Sequence, residues 1–247
     1  MTKKLQILLT NDDGFYADGI QTLYHTLRDI AQVTIAAPDR ERSAVGHGIT
    51  MFQPLRFSEV DLQGSSHWLI DGTPSDCVKL ALEHLLQTPP DLLISGINRG
   101  PNLGSDVLYS GTVSAALEGK INQIPSIATS LSGYGKLDFT TAANFIYQNL
   151  TRLYQLSQTT TLNLNFPNTN TPYQGVKFTK LGKRLYQNIF EARTDPRGQI
   201  YYWMGGEVVV SEQEPDSDIN AIENNYVTIT PLTTDLTDCR FLKNACW

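Results

Sequence analysis

Residues 5–38 read LQILLTNDDGFYADGIQTLYHTLRDIAQVTIAAP, and the order of their parts decides the fold. Residues 5 to 10 form an apolar, strand-like run. Ile20, Leu23, Leu27 and Ile30 follow at spacings of three and four, the stripe of an amphipathic helix over 19–30. VTIAAP at 33–38 is a second strand. The chain thus opens strand, helix, strand: a βαβ unit, whose right-handed crossover joins parallel strands.

The alternation continues. PSDCVKLALEHLLQ (74–87) is helical, with Thr73 placed to N-cap it, Pro74 at the first helical position and Asp76 where a carboxylate reaches back. DLLIS (91–95), SIATSL (126–131) and TLNLNF (161–166) are further strands, separated by helices over about 112–121 and 138–156. This predicts an α/β fold with a doubly wound, mostly parallel, Rossmann-like sheet. From 174 to 210 the pattern changes to Tyr-, Phe-, Val- and Ile-rich segments with turn signals at DPRG (195–198) and MGG (204–206), read as hairpins or an extended arm. SEQEPDSD (211–218) reads as a solvated acidic loop, and YVTIT as a last strand returning to the sheet. The expected division is a core over 1–173 and an arm with a C-terminal segment over 174–247.

Composition narrows the function. A net charge of -6 disfavours a nucleic-acid polymer as partner, but a local site in an acidic protein can still take a small anion. No stretch approaches a membrane span, and the run after Lys3 and Lys4 is too short for a secretory signal, so a cytoplasmic protein with no membrane partner is expected. Cys77, Cys239 and Cys246 are odd in number and unevenly spaced, as reduced thiols are. Four scattered histidines without CxxC or HExxH argue against zinc.

Ligands of doubly wound sheets bind beyond the carboxyl ends of the strands. Three polar, glycine-bearing segments meet that rim: Asn11-Asp12-Asp13, APDRERSAVGHGIT (37–50) and SGINRGPNLGSDVLYSGT (95–112). The adjacent carboxylates are either turn residues or part of a divalent-cation site, with Ser43 and Asn98 as further oxygen donors of the kind Mg²⁺ or Mn²⁺ takes. Ser110, Gly111 and Thr112 precede a helix and set amides and hydroxyls where a phosphate is attracted. The glycine spacing matches neither GxGxxG nor GxxxxGK[ST]. Arg40 and Arg42 are candidates for the carboxylates, for phosphate, or for solvent. His47 is a general acid or a structural loop residue.

ILLTNDDG, APDRERSAVGHGIT, DGTPSDCVKLAL and PDLLISGINRGPNLGSDVLYSGTVSAALEG, with YYWMGG and SDINAIENNYVTITPL more weakly, resemble the SurE family of stationary-phase survival proteins with nucleotidase activity. The resemblance runs over about 5–232. It implies metal ligands at Asp12, Asp13, Ser43 and Asn98 for one Mg²⁺ or Mn²⁺ per subunit, with Asp12 and Asp13 catalytic. Substrate phosphate contacts are implied at Asn98, Asn102, Ser110, Gly111 and Thr112. It further implies hydrolysis of nucleoside 5'- and 3'-monophosphates by metal-activated water, a side activity on short polyphosphate, and a homodimer or homotetramer built through the arm. The family often has Gly after the serine, where this chain has Ala44; altered loop flexibility is expected there. Three rivals are weaker: an aspartyl-phosphate phosphatase of the haloacid dehalogenase type, whose acids are spaced DxD and not adjacent, a nucleotide sensor that binds without turnover, and a nucleotide-sugar transferase, for whose sugar-acceptor site no motif is found.

Overall fold

The computed structural model describes residues 4–133, 135–169, 171–187, 189–209 and 214–244. Its strands are β1 (Gln6–Thr10), β2 (Gln32–Pro38), β3 (Phe57–Leu62), β4 (Ser65–Ile70), β5 (Leu92–Arg99), β6 (Ser126–Leu131), β7 (Thr161–Phe166), β8 (Val176–Phe178), β9 (Leu185–Gln187), β10 (Phe190–Thr194), β11 (Ile200–Met204), β12 (Glu207–Val209) and β13 (Val227–Leu232). The helices are α1 (Asp18–Leu27), α2 (Pro74–Leu80), α3 (Gly111–Ile121), α4 (Thr140–Ser157), α5 (Asp218–Glu223) and α6 (Cys239–Asn244). Nine strands form one sheet in the order β3-β4-β2-β1-β5-β6-β7-β13-β8. Strands β4, β2, β1, β5, β6 and β7 run parallel, while β3 and β13 run antiparallel to their neighbours β4 and β7.

The central strands are buried along almost their whole length because both sheet faces are covered. Ile7 and Leu9 of β1 join one core cluster with Ile20, Leu23 and Leu27 of α1 and Ile146, Leu150 and Leu153 of α4. Leu8 points the other way, into a second cluster with Cys77 and Val78 of α2 and Val113, Ala115 and Ala116 of α3. Strand β1 is followed by a connection to β2 on one side, whereas β5 leads to β6 on the other. The crevice between the carboxyl ends of β1 and β5 is therefore the topological switch point.

Several expectations shift at the edges. Helix α2 has the capping box of Thr73 and Asp76 with Pro74 in its first turn, but it is α-helical only to Leu80 and finishes as a π-helical turn over Ala81–Leu85. β5 extends to Arg99 through a register shift between Ser95 and Asn98, so Asn98 stands on a strand end and not in a loop. The β3–β4 hairpin adds two strands at one edge, turning through Gln63 and Gly64 at φ 57° and 80°. β13 pairs β7 antiparallel and β8 parallel, which brings residues beyond 174 into the main sheet.

Hairpins occur beyond β8: β10 pairs β11, and β12 pairs β9. Residues 211–213 of the acidic segment lie outside the described residues, as does Cys246. Its end is not a solvated loop. Ser217 caps α5 by accepting the Asn220 N–H, and Asp218 is buried. The Asp218 carboxylate accepts the N–H groups of Gly104 (2.9 Å) and Gly182 (2.8 Å). Burial is repaid by backbone donors, and the base of the arm is thereby tied to the loop that leads into α3.

Candidate active site

The turn after β1 is built by its flanking residues. Asn11 is buried, its side-chain nitrogen donating to the Gly14 carbonyl (2.8 Å) and its oxygen accepting the Gly14 N–H (3.2 Å). Gly14 sits at φ 103°, where a Cβ would also lie 3.2 Å from the Arg40 backbone. Asn11 and Gly14 hold the turn closed, and Asp12 and Asp13 project from it.

Asp12 is 4% exposed. Its carboxylate accepts the Thr112 hydroxyl, at the N-terminus of α3. Gly111 makes that approach possible: a Cβ there would stand 2.9 Å from Asp12 Cβ and 3.1 Å from its Oδ2. Burial pushes the Asp12 carboxyl up to about 6; the Thr112 hydroxyl pulls it back, and the Asp13 charge adds to the rise. Asp13 accepts the Arg99 N–H at the end of β5 (2.9 Å), and burial raises its carboxyl too. Ser110 is the N-cap of α3 and accepts the Val113 N–H (3.0 Å). The first-turn amides of a helix have no intrahelical acceptor, so this terminus favours negative charge.

Ser43 donates to Glu41 (2.8 Å) and, with Asp13, lines a cavity of about 370 Å³. Its loop is pinned at four points: the Arg42 N–H donates to the Asp12 carbonyl (2.7 Å), the Gly46 N–H to the Tyr109 carbonyl (2.9 Å), His47 Nε2 pairs with Glu118 (2.8 Å), and Thr50 N–H binds Asp76 (2.9 Å). Ala44 adopts φ 57°, a left-handed conformation that glycine takes without strain. A glycine in place of Ala44 would take this conformation without that strain.

The structure brings Asp12 together with Thr112 and Gly111, and Asp13 together with Ser43 and the β5 end that carries Asn98. The Asn98 amide nitrogen donates to the Gly100 carbonyl (2.8 Å). Asn102 is placed differently. It is buried, its amide nitrogen donates to Ser130 Oγ (2.8 Å), and its backbone is held by Asn163 and Asn165. This clamps the loop before α3 onto β6 and β7. Arg42 turns its guanidinium to Asp39 and the Asp71 carbonyl, and Arg40 to Asp39. His47 holds the Ser43 loop against α3 through buried Glu118, which also accepts from Lys79 (3.3 Å) and Asn122 (2.9 Å). The His47 hydrogen bond is the chief cause that holds the Glu118 carboxyl below its ordinary range. The Arg99 contact is not legible in the sequence, because a backbone N–H carries no side-chain signature.

Asp12 and Asp13 are thus adjacent carboxylates, both raised by burial, and the nearby Arg40 and Arg42 guanidinium groups are turned to other acceptors. Among the described residues no cluster of three His, Cys, Asp or Glu side chains could hold a metal. Asp12, Asp13, Ser43 and Asn98 would instead offer two carboxylates, a hydroxyl and an amide, all oxygen donors, and in chemistry that set suits a hard divalent ion.

Comparison with known proteins places this rim in a family. The family model of Survival protein SurE matches residues 7–188. Two curated relatives named 5'-nucleotidase SurE are similar along nearly the whole chain. The protein of Pelotomaculum thermopropionicum is 51% identical over 97% of this chain and 93% of its own length. That of Desulforamulus reducens is 50% identical over 97% and 96%. The crystal structure of the SurE protein from Aquifex aeolicus superposes with a TM-score of 0.83 at 40% identity, covering 96% of this chain and 97% of that one. The family match spans both carboxylates, the pinned Ser43 loop and the N-terminus of α3, and the similarity continues through the arm: the chain belongs to the SurE family.

Proposed function

We propose that the chain is a metal-dependent 5'-nucleotidase that hydrolyses nucleoside monophosphates to nucleoside and phosphate. The observation that carries this reading is the buried carboxylate of Asp12 set against the N-terminus of α3, with Asp13 beside it facing an open cavity. Asp12, Asp13, Ser43 and Asn98 would hold one divalent cation, Mg²⁺ or Mn²⁺, which supplies Lewis-acid polarisation and a more acidic bound water. The Gly111 amide at the start of α3 and the Ser110 hydroxyl receive the phosphoryl oxygens and stabilise the charge that develops on them, while the Thr112 hydroxyl, which donates to Asp12, orients that carboxylate. Asn102 acts through its clamp on the loop that presents them. Water attacks phosphorus in line, the P–O bond to the nucleoside breaks, and the proton given up by the water ends on the leaving nucleoside oxygen, with Asp13, the more accessible carboxylate, as the group that would relay it.

Hydrolysis of 3'-monophosphates and short polyphosphate belongs to the same reading, because the site addresses the phosphoryl group and is open on one side. The division into a core over 1–173 and an arm over 174–247 goes with assembly into a homodimer or homotetramer. β10 and β11 form an isolated two-stranded sheet whose Phe190, Ile200, Tyr202, Trp203 and Met204 are exposed, and such a ribbon is marginal alone. Among the described residues no helix is long and apolar enough to cross a membrane, and a cytoplasmic location suits Cys77 and Cys239, both free thiols. The test is phosphate release from nucleoside 5'- and 3'-monophosphates with Mn²⁺, with Mg²⁺ and with chelator. Release with metal and none with chelator is expected, and folded protein that binds nucleotide without releasing phosphate under any metal would leave only a sensor.

A further inference from the structure

Tyr16 stands apart from the other rings near the carboxylates. Its neighbour Phe15 is buried in the core, whereas Tyr16 is 67% exposed. The two rings meet edge to face, centroids 5.0 Å apart at 70°. Phe15 thus anchors a ring that solvent leaves bare. Tyr16 borders the cavity of about 370 Å³ that also holds Asp13, Asp18, Glu41, Ser43 and Arg99. That volume lies within the roughly 300–1,000 Å³ of small-molecule sites.

The charges of this cavity select its occupant. Three carboxylates, Asp13, Asp18 and Glu41, face one guanidinium. Arg99 is itself engaged, donating to the Gly135 carbonyl (2.9 Å) and lying 3.7 Å from Asp18. With the cation held at Asp13 and Ser43, the phosphate meets that end of the cavity and the N-terminus of α3, while Asp18 and Glu41 leave the outer wall acidic. A neutral group that donates hydrogen bonds and offers a flat face is accepted. A nucleoside has both properties: ribose hydroxyls and base amines donate, and the base presents a π-face. We infer that this cavity receives the nucleoside of the substrate, with the base stacked on the Tyr16 ring. The inference rests on the nucleotidase reading and adds to it the surface that reads the leaving group. Because every base has a π-face, stacking of this kind is tolerant of sequence, so purine and pyrimidine nucleotides are both substrates.

Tyr109 is the competing platform. It is 66% exposed and close to the Ser43 loop, whose Gly46 N–H its carbonyl accepts, but it does not line this cavity. The experiment measures kcat/KM for adenosine 5'-monophosphate and for ribose 5-phosphate, which lacks the base, with Mn²⁺ present. Wild type, Tyr16→Ala, Tyr16→Phe and Tyr109→Ala are compared by the ratio of the two values, which cancels any loss of folded protein. Loss of one base–aromatic stack lowers the ratio roughly 5- to 150-fold in Tyr16→Ala, through KM, and Tyr16→Phe restores it. An unchanged ratio in Tyr16→Ala, or a fall in Tyr109→Ala instead, overturns the inference while leaving the nucleotidase intact. Release from neither substrate by the wild type overturns the nucleotidase reading itself.

Discussion

Replacing Asp12 with Asn should abolish metal-dependent turnover and, in the absence of metal, make the protein more stable. The folded-state carboxyl titrates at about 6, against an ordinary aspartate value of 3.8. Below 3.8 the group is protonated folded and unfolded, and contributes nothing. As pH rises from 3.8 towards 6 the unfolded chain releases the proton while the folded protein retains it, so stability falls with pH across that window. The difference between the two values corresponds to about 3 kcal/mol lost at pH 7. Asn keeps an oxygen for the Thr112 hydroxyl and carries no charge to bury. Its new N–H donor, set where Oδ2 was, takes back about 1 kcal/mol. The expected net gain is about 2 kcal/mol at pH 7, a Tm rise of roughly 4–8 °C for a domain of this size. Thermal melts in chelator at pH 4 and pH 7 check it, and the gap between variant and wild type should close at pH 4. Mn²⁺ at a hundred times its Kd should raise wild-type stability by about 2.7 kcal/mol and leave the variant unmoved. A variant less stable than wild type at pH 7, or a gap that ignores pH, would refute the idea that burial of the Asp12 charge outweighs the hydrogen bonds it accepts.

Gly111→Ala drives a methyl to within 2.9 Å of Asp12 Cβ and 3.1 Å of Pro74 Cγ; a stability loss of about 1–3 kcal/mol and loss of most phosphate release are expected, read by denaturant titration and assay. Glu118→Gln removes the charge that His47, Lys79 and Asn122 share. Because the Glu118 carboxyl is depressed, its contribution is present above its ordinary value of 4.5 and lost as pH falls below it, so the wild-type advantage should shrink in acid melts. Thiol labelling of the native protein should modify exposed Cys239 and spare Cys77, whose burial raises its pKa well above the ordinary range; modification of both at equal rates would show that α2 opens readily.

The local pattern carried much of the architecture. The apolar run Ile7–Leu9, the alternation of TLNLNF, the three-and-four spacing of α1 and the Thr73-Pro74-Asp76 cap each report a short-range preference; β1, α1 and β7 formed close to their expected limits, and α2 began where its cap set it but turned π-helical after Leu80. The β3–β4 hairpin gives a weaker signal. FSEVDL precedes a Gln-Gly turn, but β3 is largely exposed and the apolar run of β4 is only Trp68-Leu69-Ile70. Asp218 misleads for the opposite reason. A carboxylate among acidic residues suggests solvent, and only the distant N–H groups of Gly104 and Gly182 make it a buried anchor.

Adjacent carboxylates after a strand, glycines before a helix and a serine in a polar loop can be read along the chain, because strand order places loops on a rim whatever their details. Which atoms meet there is a matter of contacts between residues far apart. Thr112 reaches Asp12 across 100 positions, Asn165 supports Asn102 across 63, and Glu118 holds His47 across 71. Phe15 and Tyr16 make the point most simply: as neighbouring aromatics they are indistinguishable in sequence, and the packing of the turn buries one in the core and leaves the other on the wall of the cavity. Sequence determined the elements and the chemistry available at their ends. Tertiary structure decided which of those groups are buried, which are engaged by a partner, and which are left to meet a ligand.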